Sequence, residues 1–178
     1  MVLLIVDTQK AMTNQRLYQF ETFVSQVKEL IRTAREQAVE VIYVRHDDGP
    51  GGEVVKGTPG FEIYEEFQPA VGEKILDKTA NSAFLGTGLA DILTAGREDK
   101  VIVAGLQTEY CIDATVKSGF ERGFQMIVPA SCTTTVDNAF LSAEDSCRYN
   151  RDLIWDQRYA LCVSFAEALE LLQQQDCV

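Results

Sequence analysis

Short apolar, β-branched runs alternate with segments of helical period along the whole chain, and this alternation limits the folds open to it. Val2 to Val6 is a near-continuous apolar run, the pattern of a strand buried on both faces. Phe20, Phe23, Val24, Val27, Leu30, Ile31 and Ala34 then recur at three- and four-residue steps, giving a helix one apolar face. Val39 to Val44 reads as a second strand, Glu73 to Asp77 as a short one, and Lys100 to Ala104 as the best central strand. Helices are expected over Gly88 to Ala95 with Thr87 as N-cap, from Thr108 up to Gly123, and over Ala139 to Leu153. Gln125 to Val128 and Tyr159 to Val163 complete the strands, and Ser164-Phe165-Ala166-Glu167 is a capping box opening a final helix. Parallel strands need crossover connections, so the pattern predicts a three-layer α/β/α sandwich on a mainly parallel, Rossmann-like sheet of about six strands.

A length of 178 residues with 46% hydrophobic content suits one domain spanning residues 1–178, and no linker or internal repeat divides it. The formal charge of −11, from 16 basic and 27 acidic residues, argues against nucleic acid or an anionic membrane as partner, since each calls for a basic face. The first residues carry no basic leader, and no apolar run approaches the roughly 20 residues of a membrane helix, so a cytoplasmic protein is expected. Cys111, Cys132, Cys147, Cys162 and Cys177 are odd in number and form no CxxC pair, which fits neither a disulfide framework nor a zinc ribbon.

In open parallel sheets ligands bind beyond the carboxyl ends of the strands, so those positions hold the chemistry. Asp7 ends the first strand; it suits a partly desolvated general base, although an Asx-turn or cap is the better account of an Asp there taken alone. Lys78 follows the third strand and could stabilise a thiolate or carboxylate, but a lone lysine is ordinarily solvated. Cys111 lies where the best strand hands over to a helix. With Thr108 as N-cap it would fall in the first turn, where the helix dipole favours a thiolate; a buried structural cysteine is the competing reading. His46 is the sole histidine and opens a polar, Gly/Pro-rich loop running to Thr58. One histidine precludes a Cys-His pair built elsewhere and makes a poor metal site, so no metal is expected. No GxGxxG or P-loop follows a strand, so no nucleotide cofactor is expected either.

Three segments together carry a family resemblance: Leu4-Ile5-Val6-Asp7-Thr8-Gln9, Lys78-Thr79-Ala80-Asn81-Ser82-Ala83-Phe84, and Val103 through Thr108-Glu109-Tyr110-Cys111. They resemble the isochorismatase-like cysteine hydrolases, which include nicotinamidases and carbamoylsarcosine-type amidases, and Gly119-Phe120 and Pro129-Ala130 fit downstream. The resemblance implies a triad of Asp7 as base, Cys111 as nucleophile and Lys78 as electrostatic partner. It further implies a cis peptide at Leu106–Gln107 and an oxyanion hole made by the N–H groups of Gln107 and Cys111. Metal-binding nicotinamidases carry an Asp-x-His element and further histidines after the second strand; here that place reads Arg45-His46-Asp47-Asp48, which disfavours a nicotinamidase.

The expected activity is therefore hydrolysis of a C–N bond in a small amide or ureido compound through a thioester. Vinyl ether cleavage of the isochorismatase type is the first alternative. A catalytically silent binding protein on the same fold is the second, and a thiol-based redox protein the third. Gln9, Met12, His46, Phe84, Gln107 and Tyr110 are candidates for contacting the substrate, although core packing explains Phe84 nearly as well. The resemblance also implies a homo-oligomer, a dimer or tetramer.

Overall fold

A computed structural model describes residues 1–174. Cys177, one of the five cysteines, lies outside the described residues. The strands are β1 (Val2–Val6), β2 (Glu40–His46), β3 (Lys74–Lys78), β4 (Lys100–Leu106), β5 (Gln125–Pro129), β6 (Thr133–Thr134) and β7 (Leu161–Val163). The helices are α1 (Phe20–Glu36), α2 (Leu89–Ala95), α3 (Asp113–Glu121), α4 (Ala143–Arg148) and α5 (Phe165–Gln173). All strand pairs are parallel in the order β3-β2-β1-β4-β5-β7, with β6 pairing the end of β4. The chain thus winds outward from β1 in one direction and from β4 in the other, which puts the topological switch point between those two strands.

Side chains alternate across the sheet as the pleat requires. Leu3, Ile5, Val41, Tyr43, Ile102 and Ala104 pack one face against Phe23, Val27, Leu30 and Ala34 of α1 and Ala168 and Leu172 of α5. Val2, Leu4, Val6, Ile42, Val44, Val101 and Val103 pack the other against Leu89 and Leu93 of α2, Val116 of α3 and Trp155. Both faces being covered explains why the strands read as unbroken apolar runs. The capping box is present at Ser164, whose hydroxyl accepts from the Glu167 N–H.

Several boundaries differ from the sequence reading. The helix expected over Ala139–Leu153 is a short α4 that passes into a π-helical segment, Tyr149–Trp155, and its N-cap is Ser142. The N-cap of α2 is Gly88, not Thr87, although the Thr87 hydroxyl accepts from the Leu89 N–H at 3.2 Å. The segment expected to start a helix at Thr108 is a π-helical turn, Thr108–Ile112, with α3 following from Asp113.

Candidate active site

Four strand ends meet at the switch point. β1 delivers Asp7, which adopts a left-handed backbone with φ 55° while its N–H donates to the Val44 carbonyl at 2.8 Å. Aspartate tolerates that region better than most residues, so the chain turns sharply as the strand ends. His46 and Lys78 are register partners at the ends of β2 and β3. At the end of β4, Gly105 has φ +134°, and a Cβ there would lie 2.0 Å from the Val6 carbonyl oxygen. Only glycine lets β4 run that close to β1, and the turn that follows swings Cys111 toward Asp7.

These residues converge around one ammonium. Lys78 Nζ lies 2.7 Å from Asp7 Oδ2, 3.2 Å from Cys111 Sγ and 2.9 Å from His46 Nδ1. Asp7 and Lys78 are 1% and 2% exposed and Cys111 9%, so the three are sheltered and Cys111 is the least buried of them. The Asp7–Lys78 contact is an ion pair without hydrogen-bond alignment, and both Asp7 oxygens lack a hydrogen-bond partner among the described residues. Donor atoms of Asp7, His46 and Cys111 lie within 4.8 Å of one another, which is compact enough for a metal. The Lys78 ammonium already contacts all three, and a cation of any other kind would have to displace it.

Burial raises the Asp7 carboxyl above its ordinary pKa, outweighing the Lys78 charge and its contacts with Cys111 and Lys78, all of which lower it. Burial, with the nearby Asp7 charge second, pushes the Cys111 thiol up to about 12, against the opposing pull of Lys78. The expectation that the turn would favour a resting thiolate is thereby corrected, because desolvation and a neighbouring carboxylate dominate there. The Thr108 side chain also caps nothing; its hydroxyl lies 3.5 Å from Cys147 Sγ.

The other candidate residues are distributed differently. Gln9 is fully buried and its amide is committed to backbone: Nε2 donates to the carbonyls of His46 (2.9 Å) and Phe61 (3.0 Å), and Oε1 accepts from the His46 N–H (2.8 Å). Phe84 is buried and stacked on Phe124 at 5.6 Å, so it packs core. Tyr110 is half exposed beside Cys111 in the chain. Met12 and Gln107 line a cleft of about 650 Å³ together with Arg16, Tyr18, Glu53 and Asp137. No cis peptide occurs among the described residues, so the cis bond expected at Leu106–Gln107 is corrected to trans. Gly105 and Leu106 stay in the sheet, paired with Thr133 and Thr134, and the chain leaves it through an extended Gln107. Two residues outside the initial candidates join the cluster. Asp48 Oδ1 is 3.1 Å from His46 Nε2, and Asn81 Oδ1 is 3.9 Å from Cys111 Sγ. Asn81 stands in the Lys78–Phe84 motif, three residues after the lysine, which was its available signal.

Comparison with known proteins places the chain among relatives of one family. The chain is 28% identical over 137 residues to a streptothricin hydrolase of Streptomyces noursei, covering 76% of this chain and 54% of that protein. It is 30% identical over 127 residues to an N-carbamoylsarcosine amidase of Arthrobacter sp, covering 61% and 48%. The chain therefore spans about half the length of these curated relatives. A solved structure of the isochorismatase family from Chromobacterium violaceum ATCC 12472 superposes with a TM-score of 0.90 at 26% identity, covering 97% of this chain and 93% of that one. The model of the isochorismatase domain matches residues 1–145, and on that match this chain belongs to the isochorismatase family.

Proposed function

We propose that this chain is a cysteine hydrolase that cleaves a C–N bond of a small amide or ureido compound through a thioester. The observation that carries the reading is the buried contact of Asp7, Lys78 and Cys111 at the switch point, with Cys111 the least buried of the three. The names of the two relatives, a hydrolase and an amidase, support the same reaction class. Asp7 removes the Cys111 proton as the sulfur attacks the substrate carbonyl carbon, and the Lys78 ammonium holds the charge on both. The carbonyl oxygen gains the negative charge and is received by the N–H groups of Gln107 and Cys111. Collapse of this intermediate breaks the C–N bond, and Asp7 returns the proton to the leaving nitrogen. Water, deprotonated by Asp7, then attacks the thioester; the acid departs and Cys111 regains its proton.

Substrate entry is assigned to the side of Gln107, which lines a cleft with Met12 that does not itself include Asp7, Lys78 or Cys111. The chain works as one domain, in the cytoplasm and in a homo-oligomer. Association is supported by Leu141, Tyr149 and Leu153, which line one surface groove with large exposed areas, beside a Phe140 that is 93% exposed.

The test is ammonia release from a panel of small amides and ureido compounds, with isochorismate added to the panel, comparing wild type with Cys111→Ala. Release that vanishes in the variant supports the cysteine hydrolase and ranks its substrates. Cleavage of isochorismate that survives the substitution would instead establish ether hydrolysis by Asp7.

A further inference from the structure

The geometry points to His46, oriented by Asp48, as the positioning residue that holds the Lys78 ammonium on Asp7 and Cys111, and to protonation of His46 as the event that loosens that hold. The inference rests on the role given above to Lys78. The Lys78 ammonium ion-pairs with Asp7 Oδ2 and donates N–H groups toward Cys111 Sγ and His46 Nδ1. At 2.9 Å from an ammonium, Nδ1 must present its lone pair, so the ring carries its proton on Nε2. Asp48 Oδ1, 3.1 Å from Nε2, receives that proton and fixes the tautomer. The main chain of His46 is held on both sides by the buried Gln9 amide, which fixes the place from which the ring extends. A carboxylate, an imidazole and an ammonium thus stand in line behind the sulfur, each holding the next.

A second proton on the imidazole would place an N–H and a positive charge at Nδ1, facing the ammonium. Repulsion would then push Lys78 away from the sulfur. The groups facing the ring are Lys78 from β3, Asp7 from β1, Cys111 from the turn after β4, and Asp48 from its own loop. Its chain neighbours are turned elsewhere. Arg45 pairs with Asp77 and Glu62, and the Asp47 carboxylate accepts from the N–H groups of Gly49 and Lys56. Asp77 is also paired with Lys56.

The experiment reads the sulfur directly. Iodoacetamide alkylation of Cys111 is followed by mass spectrometry of its peptide from about pH 5 to about pH 8 in wild type, His46→Asn, His46→Ala and Asp48→Asn. Thiolate formation alone raises the rate about tenfold for each step of one pH unit below the thiol pKa. Wild type is expected to climb more steeply over part of this range, because loss of the second His46 proton seats Lys78 on the sulfur. His46→Asn keeps an acceptor near the place of Nδ1 and has no proton to gain, so it should climb by thiolate formation alone. His46→Ala should be slower than His46→Asn by about tenfold near neutral pH. Asp48→Asn should move the steep region to lower pH, since a carboxylate that favours the added proton is gone. Superimposable profiles for wild type and His46→Asn, or a His46→Asn as slow as His46→Ala, would overturn the assignment. Alkylation needs no turnover, so a Cys111→Ala variant that still hydrolyses amides would sink the hydrolase reading alone and leave this profile to judge His46.

Discussion

Replacing Lys78 by Met strips the cluster of its cation and leaves Asp7 as an unpaired carboxyl group that is 1% exposed. Breaking a buried pair by removing one partner costs about 3–5 kcal/mol, mostly the penalty of the stranded charge. Methionine fills much of the volume of the lysine stem, so little of that cost comes from a cavity. The carboxyl group has an escape, because burial already raises its pKa and loss of Lys78 raises it further. Between the ordinary aspartate value of 3.8 and this raised one, the folded protein binds more protons than the unfolded chain. Stability therefore falls as pH rises through that window, and the full penalty is present above it. Lys78→Met should lose about 3–5 kcal/mol at a pH above that window and progressively less at a lower pH inside it. Asp7→Asn/Lys78→Met should recover most of the loss at the higher pH. Urea unfolding can be followed by fluorescence of Trp155, the one tryptophan, which is fully buried. A loss that is equal at both pH values, or additive effects in the double variant, would refute the stranded-charge account.

Gly105→Ala should cost more than about 3 kcal/mol in the same unfolding assay, because its Cβ would sit 2.0 Å from the Val6 carbonyl at φ +134°; a wild-type midpoint would contradict it. Gln9→Ala should cost about 1–3 kcal/mol and make the His46 amide more accessible to hydrogen exchange, since its three backbone partners lose a buried amide. Turnover should decline on the acid side around an inflection above 3.8, because Asp7 must be ionised to take the thiol proton and burial raises its pKa. In a pH–rate profile, full kcat maintained down to the ordinary aspartate range would remove Asp7 from that role.

What could be read from the chain beforehand follows from the range of the interactions involved. β1, β2 and β4 were legible because burial on both faces makes each an apolar run, and the capping box at Ser164 because its partners are three residues apart. Asp7, Lys78 and Cys111 stand at or just past strand ends, a place that an ordinary structural role also explains for each alone, and it is the family resemblance of their three motifs that implies a triad. That Lys78 is buried was not legible; nothing around it in sequence shows that Asp7, His46 and Cys111 converge on its ammonium. The Asp48–His46 contact comes from the path of a loop, and the hydrogen bond from Trp155 Nε1 to Asp113 at 2.9 Å joins residues 42 apart. The π-helical turns at Thr108–Ile112 and Tyr149–Trp155 escaped because apolar steps of three and four do not separate them from α-helix. Phe84 belongs to a site motif yet lies against Phe124, with its ring 3.0 Å from where a Cβ on Gly119 would be. Its motif position alone says nothing about which way that ring turns.

The resting protonation of the cluster bears on how the two chemistries of a cysteine are kept apart. With the thiol pushed up to about 12, Cys111 holds its proton at neutral pH, and the thiolate, the form that peroxide oxidises and disulfides attract, is scarce. Under the proposed mechanism the proton moves to Asp7 only as the new carbon–sulfur bond forms, so the cost of exposing a sulfur anion beside a carboxylate is never met in full. Lys78 touches both ends of that transfer, and it faces a negative charge whether the proton sits on sulfur or on oxygen. An ammonium so placed can follow the charge without moving. That disfavours a redox role for the same sulfur, since a redox cysteine is served by a stable thiolate and this site withholds one.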